Sequence, residues 1–113
     1  MELTPLDQNG DVLVMQAGNE INADNADQLN DELGQLIDGG MRRLIIDCSG
    51  LEMISSMGIS TLLLVHNRMN RRGGQVHITG TRGQVSEILR MTRLDVVLRI
   101  YPDIKQANTA FED

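Results

Sequence analysis

A change of hydrophobic period between residues 44 and 79 constrains this chain more than any other feature. Leu44-Ile45-Ile46 is an uninterrupted apolar run ending in Asp47, the pattern of a strand covered on both faces. From about Met57 to Arg71 the apolar residues recur at helical spacing, with Ile59, Leu62, Leu63, His66 and Met69 on one side, and Gly73-Gly74 stops the run. Gln75 to Thr79 then reads as a second strand. A strand, a helix of that length and another strand form a crossover unit, whose strands can lie parallel and whose connection is right-handed. The chain is therefore expected to be an α/β layer protein with the 44–47 strand at the centre of its sheet.

The flanking segments extend that unit. Glu2 to Leu6 and Asp11 to Ala17 are predicted to pair as an antiparallel hairpin around Asn9-Gly10, a dipeptide that tolerates the positive φ of a tight turn. Pro5 cannot donate to a ladder, so the first strand belongs at a sheet edge. Asp7-Gln8-Asn9-Gly10-Asp11 opens like a calcium loop, yet Gly18 stands where such a loop needs a bidentate Glu. After Asn22 the spacing of Ala26, Leu29, Leu33, Leu36 and Ile37 predicts an amphipathic helix, capped by Asn22 or Asp24 and released at Gly39-Gly40. Val85, Ile88, Leu89 and Thr92 mark a shorter helix, Val96 to Tyr101 a last strand, and Pro102-Asp103 the start of a terminal helix carrying Ile104, Ala107 and Phe111. No linker, repeat or low-complexity stretch divides the chain, so residues 1–113 are read as one domain.

Composition removes whole classes of function. A single Cys48 excludes an internal disulfide and a cysteine metal cluster. The longest apolar runs, such as Leu62-Leu63-Leu64-Val65, fall far short of a spanning helix, and Met1-Glu2 begins no positively charged leader, so a cytoplasmic location without direct membrane insertion is expected. Tyr101 and Phe111 are the only aromatic residues and the net charge is −6, which argues against base stacking and phosphate-backbone contacts, hence against nucleic acid.

The common catalytic templates are absent: no phosphate loop ending in Gly-Lys-Ser/Thr, no GxGxxG after a strand, no HExxH and no GxSxG elbow. His66 and His77 each lie inside a regular apolar pattern and read as packed side chains; Cys48 reads as a small buried hydrophobe. No catalytic residue, metal site or cofactor is expected. One segment, from Asp47 to Gly58, stands apart because it runs from the carboxyl end of the central strand into a helix start, where open α/β sheets place functional crevices. Ser55 or Ser56 falls near the helix N-cap, so capping accounts for one serine, and a modification or binding role is the alternative.

Ile54-Ser55-Ser56-Met57-Gly58 resembles the signature of the STAS domain, the fold of bacterial anti-sigma-factor antagonists and of the cytoplasmic tails of sulfate transporters. The resemblance extends over nearly the whole chain, through Glu20-Ile21-Asn22-Ala23-Asp24-Asn25-Ala26 and through Met91-Thr92-Arg93-Leu94-Asp95 and Ile100-Tyr101-Pro102. It implies a mixed sheet of four to five strands with an N-terminal antiparallel hairpin and about four helices. It also implies that Ser56 is the serine a partner kinase phosphorylates, with Ser55 as the rival acceptor, and that Asn22, Asp24, Ser55, Met57 and Gly58 contact the partner. Ser55 stands where the best-known antagonists have Asp, and Met57 where a small residue is usual. The implied function is an anti-sigma factor antagonist, monomeric when free, that docks unphosphorylated onto an anti-sigma factor kinase of the GHKL ATPase type and is reset by a phosphoserine phosphatase. The alternative is a STAS scaffold or an accessory subunit of a stress-signalling complex or lipid transporter that works without phosphorylation.

Overall fold

The computed structural model describes residues 2–5 and 11–111. Strands β1 (Glu2–Pro5), β2 (Leu13–Gln16), β4 (Arg43–Asp47), β6 (Gln75–Thr79) and β7 (Arg99–Tyr101) form one five-stranded sheet in the order β1-β2-β4-β6-β7. β1 runs antiparallel to β2, and every other pairing is parallel. The Pro-containing strand is at the edge and the apolar 44–47 strand is in the middle, as their residues require. The Asn9-Gly10 turn and the Asp7–Asp11 loop lie outside the described residues apart from Asp11 itself.

Alternation along β4 divides the interior. Leu44 and Ile46 join Met15, Val76 and Ile78 under a helical layer made by α1 (Ala23–Asp38), α2 (Ser56–Arg71) and α3 (Gly83–Met91), which supply Leu29, Leu33, Leu62, Val65, Met69 and Leu89. Ile45 faces the other way, with Val12 and Val14, against Ala107, Ile104 and Phe111 of the terminal segment that carries α5 (Ile104–Ala110). A strand buried on both faces loses apolar surface to water twice over, which is why β4 reads as a continuous hydrophobic run.

The helix ends follow local chemistry. Asn22 caps α1 by accepting at Oδ1 from the Asp24 amide, while Asn25 Oδ1 accepts from the Asn22 amide, a reciprocal capping box. After α1, Gly40 at φ +113 makes the left-handed exit and Gly39 stays right-handed. Arg42 then donates to the carbonyls of Ile37, near the end of α1, and Met41, just beyond it.

Two expectations need correction. The strand predicted for Val96 to Tyr101 is only Arg99–Tyr101; its first half belongs to a one-turn helix, α4 (Leu94–Val97), which raises the number of helices to five among the described residues. Arg93 adopts φ +62 and restarts the chain after α3, and the Leu98 amide returns to Leu94 O at 2.8 Å. The β-branched pair Val96-Val97 suggested a strand, but sheet propensity is realised only where a neighbour strand is in reach, and α4 stands away from β6. The second correction is an addition: β3 (Glu20–Ile21) and β5 (Met53–Ile54) form a separate two-stranded parallel ladder. Two residues carry no readable period.

Both histidines pack inside the protein, on opposite faces of the sheet. His77 Nδ1 donates to Ala107 O at 2.8 Å, Nε2 lies 2.9 Å from the Gln75 side-chain amide, and the ring stacks on Phe111 at 3.7 Å. His66 lies 3.0 Å from the Asn70 amide through Nε2, and its buried Nδ1 has no partner. Burial pushes both imidazoles below their usual pKa, with the Arg99 charge adding to the effect. The unfolded chain therefore binds more protons than the folded one just below the ordinary histidine pKa of about 6.5, and stability falls as the pH drops through that value. Urea unfolding between about pH 7.5 and about pH 5.5 is expected to show a falling midpoint, with a flatter pH dependence in His77→Gln despite its lower overall stability. A midpoint indifferent to pH over that window would contradict this account.

Candidate functional site

The segment after β4 is anchored before it becomes a helix. Asp47 Oδ1 accepts from the Ser49 amide at 3.1 Å and from the Thr79 hydroxyl at 3.4 Å, tying the ends of β4 and β6 together. Cys48 is buried, and desolvation together with the Asp47 charge pushes its thiol up to about 12, so no thiolate is available there. The amides of Glu52 and Met53 both donate to Asn19 O, and the Ser55 amide donates to Ile21 O at 2.9 Å. These bonds extend the β3–β5 ladder at both ends.

That ladder has a consequence for the site. Ile21 pairs with Ile54, so the next residue on each strand, Asn22 and Ser55, lies at the same level, and each is a helix N-cap. The starts of α1 and α2 are thereby brought together at one end of the molecule. Gly58, in the first turn of α2, lies so close to the ladder that an added Cβ would stand 2.8 Å from Ile21 Cγ2, Ile21 O and Ile54 Cγ1. Only a residue without a side chain fits that approach.

The two serines differ in what the fold uses them for. Ser55 is half-buried, and its hydroxyl oxygen accepts from the Gly58 amide at 3.2 Å, which commits it to capping α2. Ser56 is the first helical residue; it is exposed, and its hydroxyl has no intramolecular partner among the described residues. Beside it stand Met53 and Met57, 51% and 47% exposed, whereas Leu51 and Ile54 turn inward. Glu20, Asp24 and Glu52 are exposed on the same two helix starts and the ladder that joins them.

Of the predicted contact residues, Asp24 and Met57 present side chains to solvent, as does the predicted phosphoacceptor Ser56; Asn22, Ser55 and Gly58 serve the local structure. Sequence reasoning missed Glu20 as part of this surface and left open whether Met53 and Met57 form a contact patch or fold inward. The signal was too short to read, because the pairing of Glu20 with Met53 exists only through β3 and β5. Among the described residues no group of three or more histidine, cysteine or acidic side chains could hold a metal ion.

The division of roles is measurable. Ser55→Ala is expected to cost about 1 kcal/mol of stability through the lost cap, and Ser56→Ala to stay within about 0.5 kcal/mol of wild type. Gly58→Ala should be the most damaging of the three, costing about 1–3 kcal/mol by forcing α2 off the ladder. Denaturant midpoints rank the variants, and equal losses at Ser55 and Ser56 would refute the assignment of the cap.

Comparison with known proteins agrees with this architecture. The family described as "STAS domain" matches residues 4–107. The Bordetella bronchiseptica protein named "Putative anti-sigma factor antagonist BtrV" is 28% identical over 112 residues, covering 99% of this chain and 96% of that protein. The crystal structure of an anti-sigma factor antagonist from Mycobacterium paratuberculosis superposes with a TM-score of 0.83 at 25% identity, covering 99% of this chain and 94% of that one. SpoIIAA of Bacillus, solved in a phosphorylated form, shares the fold with a TM-score of 0.74 at 11% identity, covering 96% and 97% of the two chains. With a central parallel sheet, a capped helix start after its middle strand and a family match over nearly all its length, this chain belongs to the STAS domain family.

Proposed function

We infer that the protein is an anti-sigma factor antagonist of the partner-switching kind, with Ser56 as its phosphoacceptor. The observation that carries this reading is the free, exposed hydroxyl of Ser56 on the first turn of α2, next to a serine whose hydroxyl is already used. A kinase has to reach its acceptor oxygen, and Ser56 offers one without dismantling the helix cap. The Ser55-for-Asp departure fits the same geometry. Both residue types are good N-caps, so the exchange keeps the helix start and removes one negative charge.

Phosphorylation at Ser56 would add about −1.5 to −2 charges and three acceptor oxygens to a surface that already carries Glu20, Asp24 and Glu52. The positive end of the α2 dipole favours an anion there, so the phosphate can be held without refolding the domain. What changes is the face shown to a partner. A contact built around a neutral hydroxyl and the thioethers of Met53 and Met57 becomes one that must desolvate a phosphate, and docking is lost. The names of the relatives support an anti-sigma factor as that partner; the kinase of GHKL ATPase type and the opposing phosphatase follow from the family's scheme, and this domain would supply no chemistry itself.

Incubation with ATP and a cognate anti-sigma factor kinase is expected to add one phosphate, mapped to Ser56 by mass spectrometry. Ser56→Ala should then bind the anti-sigma factor constitutively and Ser56→Asp poorly, by calorimetric titration. Equal affinities of the two variants, or both serines left unmodified, would refute the switch; retained binding in that case would favour the scaffold or accessory role.

A further inference from the structure

Several of the arginines have intramolecular work. Arg42 serves the end of α1, Arg72 pairs with Asp38 at 3.0 Å, and Arg68 lies over Gly34 and reaches Asn30. Arg82 donates to Ser49 O and Arg99 to Asn70. Arg90 and Arg93 are exposed and, like Arg43, Arg71 and Lys105, make no side-chain ion pair or hydrogen bond among the described residues. Arg90 and Arg93 flank Met91 and Val96, the two most exposed large apolar side chains among the described residues at 73% and 75%, together with Val97 at 51%.

From Met91 to Val97 every residue except Leu94 is exposed. The segment is held as a turn by Arg93 at φ +62, a conformation that a non-glycine residue enters at some cost, between the end of α3 and α4. Nothing in the fold uses these apolar tips. A stretch so continuously exposed presents a projection, and a projection with aliphatic tips and cationic shoulders suits a lipid–water interface, where penetration depth rather than shape complementarity sets affinity. Charge complementarity selects the lipid. Residues 82–99 carry four arginines against Glu87 and Asp95, in a protein of net charge −6 whose α1 contributes five carboxylates and no cation. An anionic surface would attract the α3–α4 end and repel α1, which orients the molecule. A second copy docking through α1 would match the charge but offers the valines no apolar cover.

We propose that the α3–α4 projection is a peripheral docking site for anionic membrane surfaces, with Met91, Val96 and Val97 entering the headgroup layer and Arg90 and Arg93 pairing with lipid phosphates. The attachment lies on the membrane and spans nothing; no helix among the described residues is long and apolar enough to cross one. It is independent of Ser56.

The test is cosedimentation at low salt with vesicles of phosphatidylglycerol mixed into phosphatidylcholine, compared with phosphatidylcholine alone. Binding is expected only with the anionic vesicles, weakened about tenfold or more by Arg90→Glu/Arg93→Glu and lost in Val96→Asp/Val97→Asp. Far-UV circular dichroism checks that the variants fold, and Val96→Ser/Val97→Ser replaces the aspartate pair if it does not. Wild-type protein that stays in the supernatant, binds both vesicle types equally, or binds no better than the variants would overturn the proposal. So would self-association of the wild type without vesicles that the valine variants abolish, since that outcome gives the surface to a second copy.

Discussion

The approach of the first turn of α2 to the β3–β5 ladder sets the geometry of the candidate site. An α-helix leaving a strand can start at many angles; here Gly58 lies against Ile21 and Ile54, and the Ser55 amide bonds to Ile21 O. Two short strands and one missing side chain thus fix where α2 begins, which residue caps it and which residue faces solvent. The same ladder places the start of α1 alongside, through the pairing of Ile21 with Ile54.

The site is therefore built on rigid elements. Asp47, Ser49 and Thr79 hold the strand ends, the ladder holds the loop, and the cap holds the helix. A switch placed on such a scaffold can work through surface chemistry alone, because a phosphate added at an exposed first-turn hydroxyl meets a favourable dipole and breaks no existing bond. The same serine one position earlier would not have this freedom, since its hydroxyl already satisfies the Gly58 amide.

Much of the architecture was legible in the order of residues, and the reasons are specific. Leu44-Ile45-Ile46 is apolar without alternation because β4 is covered on both faces; Pro5 marks an edge because it lacks an amide proton; Asn22 and Gly40 perform the cap and the exit that their side chains favour. The strand placed at Val96–Val97 failed because β-branched residues describe a preference for a pleated surface, and α4 has no partner strand there. The ladder escaped notice because two residues per strand give no period to detect.

What the sequence by itself determined is the layer class, the centre and edge of the sheet, and the segment from Asp47 to Gly58 as the place where a helix start could carry function. These depend on periodicity and on local backbone chemistry, which the order of residues encodes directly. Only the tertiary structure decided which of Ser55 and Ser56 caps α2, exposed Met53 and Met57, set Glu20 beside Met53, and left Met91, Val96 and Val97 in solvent. Each of those outcomes depends on which distant residues arrive to cover or bond a side chain, a contact between segments that the order of residues along one segment does not contain.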